Sequence, residues 1–90
     1  MRKAVTVVSK KGCHLCDEVI EALDLLSSRH GFEVRVLDIQ ADSKLHDEYW
    51  LRVPVVLFNG KGVFDARDMA DTADCMQSLE RLVKSWGLPP

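Results

Sequence analysis

A chain of 90 residues is expected to form one domain over residues 1–90, since it has no room for a second core. Its 12 basic and 14 acidic side chains leave a formal charge of −2, which argues against the clustered positive charge of non-specific nucleic-acid binding. With 47% hydrophobic and 29% charged residues it has the composition of an ordinary soluble globular protein, and no apolar run approaches the roughly 20 residues that span a bilayer.

The N-terminal Arg2-Lys3 pair followed by Ala4 to Val8 is too short an apolar stretch for a secretory segment. It is read as a first strand, Ala4 to Ser9, apolar and β-branched as a strand buried on both faces should be. Three cysteines do not make a secreted disulfide framework, so a cytoplasmic location is expected. Lys10-Lys11-Gly12 breaks the strand, and from Cys13 the period becomes helical. Leu15, Val19, Ala22 and Leu26 fall on one predicted buried face, with Cys16, Ile20 and Leu23 beside them. Asp17 and Glu18 suit the first turn, Arg29 and His30 the last, and Gly31 is a stop.

Phe32 to Ile39 alternates, with Phe32, Val34 and Val36 on one side and Glu33 and Arg35 on the other, as in an edge strand with one wet face. Asp42 or Ser43 is expected to cap a short helix running to Leu51. Val53 to Phe58 reads as a third strand, Asn59-Gly60 as a hairpin turn, and Val63-Phe64 as the returning strand. A last helix is expected from Asp71 or Thr72, with Met76, Leu79, Val83 and Trp86 as its buried stripe, ending at Gly87. The four aspartates between residues 65 and 74 read as a solvated loop and helix start. The order is βαβ, a short helix, then ββα. A four-stranded mixed sheet with helices on both faces satisfies it, the first strand lying between the second and third.

Cys13-His14-Leu15-Cys16 falls where the first strand ends and the first helix begins. A helix N-terminus favours a thiolate over a thiol through its free N–H groups and dipole, and Lys10, Lys11 and His14 add positive charge. Cys13 is therefore the expected nucleophile, and Cys16, one turn further and more shielded, the resolving thiol. A C-x-x-C in a βαβ context has the form of a thioredoxin-like redox motif. A metal site is not expected: zinc needs four ligands, and only Cys75, His30 and His46 stand apart from the adjacent Cys13, His14 and Cys16. Cys75 reads as a small buried hydrophobe, Trp86 as packing for the last helix, Tyr49 and Trp50 as core or rim, and His46 as a surface residue.

Arg52-Val53-Pro54-Val55-Val56, with Gly12 to Asp17 and the Asp38-Ile39 strand end, resembles the glutaredoxin-like family of short thioredoxin-fold proteins, from about Val5 to Trp86. The resemblance implies an α/β thioredoxin-like fold and a cis Val53–Pro54 bond lying against the cysteine pair. It also implies that the backbone of Val53 meets a bound peptide or thiol, and that Lys10 or Lys11 meets a glutathione carboxylate. Two departures count against glutathione as co-substrate. His14-Leu15 stands between the cysteines where proline and tyrosine are usual, and Phe64 to Asp68 lacks the paired glycines that let backbone N–H groups approach it.

The expected activity is thiol–disulfide exchange by Cys13 and Cys16, with no bound cofactor. Lys11, His14, Val53 and Pro54 are expected on the substrate side. Partners would be protein disulfides or small thiols and an unidentified reductase, with no nucleic acid and no membrane, and the chain would be a monomer. The alternatives are a thiol-, metal- or iron–sulfur-handling module, with a cluster held between two chains, or an inactive adaptor.

Overall fold

A computed structural model of the chain describes residues 3–70 and 75–86. β1 (Ala4–Ser9) leads to α1 (His14–His30) and β2 (Glu33–Asp38). After a 3-10 turn (Ile39–Ala41) come α2 (Ser43–Tyr49), β3 (Val55–Phe58), β4 (Lys61–Phe64), α3 (Ala66–Ala70) and α4 (Cys75–Ser85). The four strands form one sheet in the order β2-β1-β3-β4. β1 runs parallel to β2 and antiparallel to β3, and β3 is antiparallel to β4. The first strand thus lies between the second and third, as the pattern requires.

The period-2 alternation of the central strands divides the interior in two. Val5 and Val7 of β1 and Val56 of β3 pack with Val19, Leu23 and Leu26 of α1 and with Leu79 and Val83 of α4. Val8 and Val55, which point to the other face, pack with Ile39, Val53 and Cys16, and Leu45 and Tyr49 of α2 close over them. Helices therefore cover both faces of a mixed α/β sheet, the thioredoxin-like arrangement. Cys16 reaches the second cluster because it sits at the first turn of α1, just beyond the end of β1.

Local signals act as their chemistry dictates. Gly31 takes the left-handed conformation (φ 73°) and its N–H donates to the Ser27 carbonyl, closing α1. Asn59 and Gly60 both have positive φ, and Phe58 pairs with Lys61 across a two-residue turn. The Asp42 carboxylate accepts from the Lys44 N–H and caps α2. Trp86 stacks on Phe58, ring centres 4.2 Å apart, and holds the end of α4 to the sheet.

Three expectations need correction. Leu15 is 45% exposed and not part of the buried stripe. It lies in the first turn of α1, where helical side chains lean towards the N-terminus and so away from the body of the helix. Val36 is half-exposed, because an edge strand has a neighbour on one side alone. The stretch after β4 is a helix, α3, where a loop was expected. The expected start of the last helix at Asp71 or Thr72, and its end at Gly87, lie outside the described residues; α4 is described from Cys75, which is partly buried against the main core.

Candidate functional site

Cys13 is the N-cap of α1, with extended backbone (φ −93°, ψ 108°) that follows the positive-φ turn at Gly12. Its Sγ accepts a hydrogen bond from the Cys16 N–H at 3.1 Å, one of the N–H groups that a helix start leaves without an intrahelical partner. Cys13 and Cys16 are disulfide-bonded, with Cα atoms 5.2 Å apart, and Cys75 takes no part in that bond. Cys13 is half-buried and Cys16 only 1% exposed. One sulfur faces outwards and the other the protein interior.

Val53 and Pro54 are both buried, and the bond between them is cis, as the resemblance implies. Val53 packs in the same apolar cluster as Cys13 and Cys16, so the turn before β3 and the start of α1 meet at one end of the sheet. Lys10, Lys11 and His14 are exposed. Beside His14 lies a shallow hollow formed by Asp17, Glu18, Ile20 and Glu21. The turn from Tyr49 to Val53 is held by the Tyr49 carbonyl, which accepts from the N–H groups of Arg52 (2.7 Å) and Val53 (3.1 Å). The backbone N–H of Val53 is therefore engaged within the chain. The Arg52 guanidinium lies over the Tyr49 ring, 5.6 Å from its centre. Burial first, and the neighbouring Glu48 next, hold the Tyr49 phenol above its ordinary range, so it is neutral near pH 7.

Asp65, expected in a solvated loop, is instead buried, with its side chain only 6% exposed. Its carboxylate accepts from Arg52 Nε (3.3 Å), from an Arg67 terminal nitrogen (2.9 Å) and from the Arg67 backbone N–H (2.9 Å). Asp68 reaches back to the Asp65 N–H at 2.8 Å, and the Ala66 N–H donates to the Arg52 carbonyl at 3.1 Å. The result is a reciprocal cap on α3 that also grips the residue before Val53. The Asp-x-x-Asp spacing of residues 65–68 carries the signal for the cap. Nothing in the sequence couples it to Arg52, 13 residues earlier.

No described helix is long and apolar enough to cross a membrane. Among the described residues, no three His, Cys, Asp or Glu side chains are grouped to hold a metal ion.

Comparison with known proteins agrees with this architecture. An uncharacterised protein of Mycobacterium tuberculosis is 34% identical over 65 residues, 67% of each chain, and one from Mycobacterium bovis matches equally. The solution structure of protein Ne2328 from Nitrosomonas europaea superposes with a TM-score of 0.64 at 33% identity, over 72% of this chain and 79% of that one. A structure described as a malarial protein has a TM-score of 0.61 at 18% identity over 94% and 97%, a likeness of fold alone. Residues 4–84 match the glutaredoxin-like domain (DUF836), and a match over nearly the whole sheet and its helices, cysteine pair included, places this chain in that glutaredoxin-like family.

Proposed function

We propose that the protein is a thiol–disulfide oxidoreductase in which Cys13 attacks and Cys16 resolves. The observation that carries the reading is the position of Cys13 Sγ, an N-cap acceptor bonded to the Cys16 N–H and partly open to solvent, above a buried partner sulfur. An N-cap favours the anion, and the thiolate is the reactive species.

In the reduced protein the Cys13 thiolate attacks one sulfur of a disulfide R–S–S–R′. That bond breaks, Cys13–S–S–R forms, and R′S⁻ leaves and takes up a proton. Cys16 then releases its proton and attacks Cys13 Sγ, expelling RS⁻, which is protonated in turn. The substrate gains two electrons and two protons; the protein loses two electrons and the Cys16 proton on closing the Cys13–Cys16 bond, and the second proton comes from solvent because Cys13 starts as the thiolate. An external dithiol, or a reductase that supplies one, returns the pair to the reduced form by the reverse sequence. Val53 and Pro54 form the wall beside the cysteines, with Lys11 and His14 at the entrance. Glutathione is a poor co-substrate on this reading, because Ala66 and Arg67 replace the glycines that would admit it, and their backbone N–H groups already donate to the Arg52 carbonyl and the Asp65 carboxylate.

Single-turnover oxidation of the reduced protein by 2-hydroxyethyl disulfide, followed by mass spectrometry, tests the proposal. The native chain should close the Cys13–Cys16 bond, Cys16→Ser should stop at a mixed disulfide on Cys13, and Cys13→Ser should not react at this site. A bridge that contains Cys75, or unchanged oxidation in Cys13→Ser, would sink it.

A further inference from the structure

We infer that the face around Cys13 takes a disulfide carried on a polypeptide whose cysteine is flanked by apolar and basic side chains; the inference rests on the exchange reading above. Three large apolar residues at this end of the molecule are left in water: Leu15, Trp50 (50% exposed) and Leu51 (75% exposed). Leu15 lies between the two cysteines. Trp50 and Leu51 lie in the turn whose ends, Tyr49 and Val53, pack in the cluster that holds Cys13 and Cys16. These side chains lie at the end of the molecule where Cys13 opens to solvent, and an exposed apolar patch there is covered best by apolar side chains. The Trp50 ring is pre-set for contact, stacked on His46 with ring centres 6.1 Å apart.

A strand-like pairing of substrate with Val53 would use its N–H and its carbonyl, but the N–H already donates to Tyr49. At most the carbonyl is left, so more of the selection falls to side chains. Charge then favours one class of polypeptide. The hollow beside His14 places the carboxylates of Asp17, Glu18 and Glu21 around Ile20. That surface suits a lysine or arginine, its aliphatic stem on Ile20 and its charged end at the carboxylates. Glutathione, an anion with little apolar surface, matches neither the hollow nor the patch. Lys10 and Lys11 precede the motif and are not part of the hollow.

The test is the rate at which the reduced protein is oxidised by symmetrical disulfides of two peptides of equal length, one centred on Leu-Cys-Lys and one on Ser-Cys-Glu. Glutathione disulfide and 2-hydroxyethyl disulfide are run beside them. Each rate is divided by that of the same disulfide with a simple thiol, which removes differences in leaving group. The Leu-Cys-Lys disulfide should react about tenfold faster than the Ser-Cys-Glu one, the effect of burying a few methylenes. Added salt should narrow the gap. Leu51→Ser should lower the ratio of the Leu-Cys-Lys rate to the 2-hydroxyethyl disulfide rate by about threefold to tenfold. Glu18→Gln with Glu21→Gln should abolish most of the salt dependence. Equal normalised rates for the two peptides, or a faster rate with glutathione disulfide, would overturn the inference and leave the exchange reading intact. Failure to react with 2-hydroxyethyl disulfide would overturn the reading itself, and the inference with it.

Discussion

Cys13 and Cys16 are chemically the same residue, and their surroundings make them different. Cys13 is an N-cap with a hydrogen bond to its sulfur and contact with water, while Cys16 is buried among Val8, Ile39 and Val53. Burial in apolar surroundings disfavours the thiolate, and a helix start favours it. Iodoacetamide at mildly acidic pH, where a free thiol of pKa about 8.5 is almost wholly protonated, should therefore label Cys13 well before Cys16 in the reduced protein. Peptide mapping would read the order, and prior labelling of Cys16 would reverse the roles. Asp65 is the second residue whose behaviour follows from its neighbours. The Arg67 side chain, first, then its backbone N–H and Arg52 hold the Asp65 carboxyl below the usual carboxylate range against the opposing effect of burial. A carboxyl with a lowered folded pKa adds stability that is complete above its unfolded value of about 3.9 and lost as the pH falls through the folded one. Asp65→Asn should accordingly cost about 1–2 kcal/mol at neutral pH, through the weakened cap and ion pairs. Denaturant melts should show that deficit shrinking below about pH 4. A constant deficit from pH 7 to pH 3 would show that charge is not what the native residue contributes.

Among the elements, α1 carries the most. Its N-terminus presents the cysteines, its Val19-Leu23-Leu26 stripe anchors it to the sheet, and Gly31 ends it. Nothing lies within 4 Å of a Cβ added at Gly31, so Gly31→Ala tests backbone conformation without steric clash. At φ 73° the change should lower stability by about 1 kcal/mol, visible as a few degrees in the melting temperature. The same face of the sheet also depends on α4, whose Leu79 is fully buried in that cluster. Leu79→Ala should cost about 2–5 kcal/mol, the combined effect of lost burial and an unfilled cavity. Of these two variants, only Gly31→Ala should retain near-native exchange rates at room temperature, because its cost is small against the usual stability of a domain.

For the whole molecule the sheet is a platform that presents two loops at one end: the β1–α1 turn with the cysteines, and the α2–β3 turn with Val53 and Pro54. The two come together because β1 and β3 are antiparallel neighbours, with Val8 opposite Val55, so the exit of one strand lies beside the entry of the other. If this platform serves disulfide exchange, the Cys13–Cys16 couple should titrate reversibly as two electrons. Its midpoint should fall between about −270 and −180 mV, the span of thioredoxins, glutaredoxins and disulfide isomerases. A midpoint below about −300 mV would mark the bond as structural.

The elements and their order were legible in the amino-acid chain, because hydrophobic period, caps and turn residues act over a few neighbours. The β-branched run of β1, the Asn59-Gly60 turn, Asp42 and Gly31 each specify their own local geometry. It also located the cysteine motif at a strand-to-helix junction, and the resemblance it carries extends to the cis Val53–Pro54 bond. Relations between distant residues, and between side chains and water, emerge only once the chain is folded. Leu15 has the spacing of a core residue, yet it is 45% exposed at the first turn of α1, while Cys16 beside it is buried. Asp65 has the composition of a solvated loop, yet it is buried because Arg52, brought alongside by the β3–β4 hairpin, meets its charge. The resemblance offers the Val53 backbone to a bound peptide or thiol, and its N–H donates to the Tyr49 carbonyl within the chain. Local propensity cannot register such contacts, since each depends on where the whole sheet places a partner that is far away in the chain or on a surface that nothing covers.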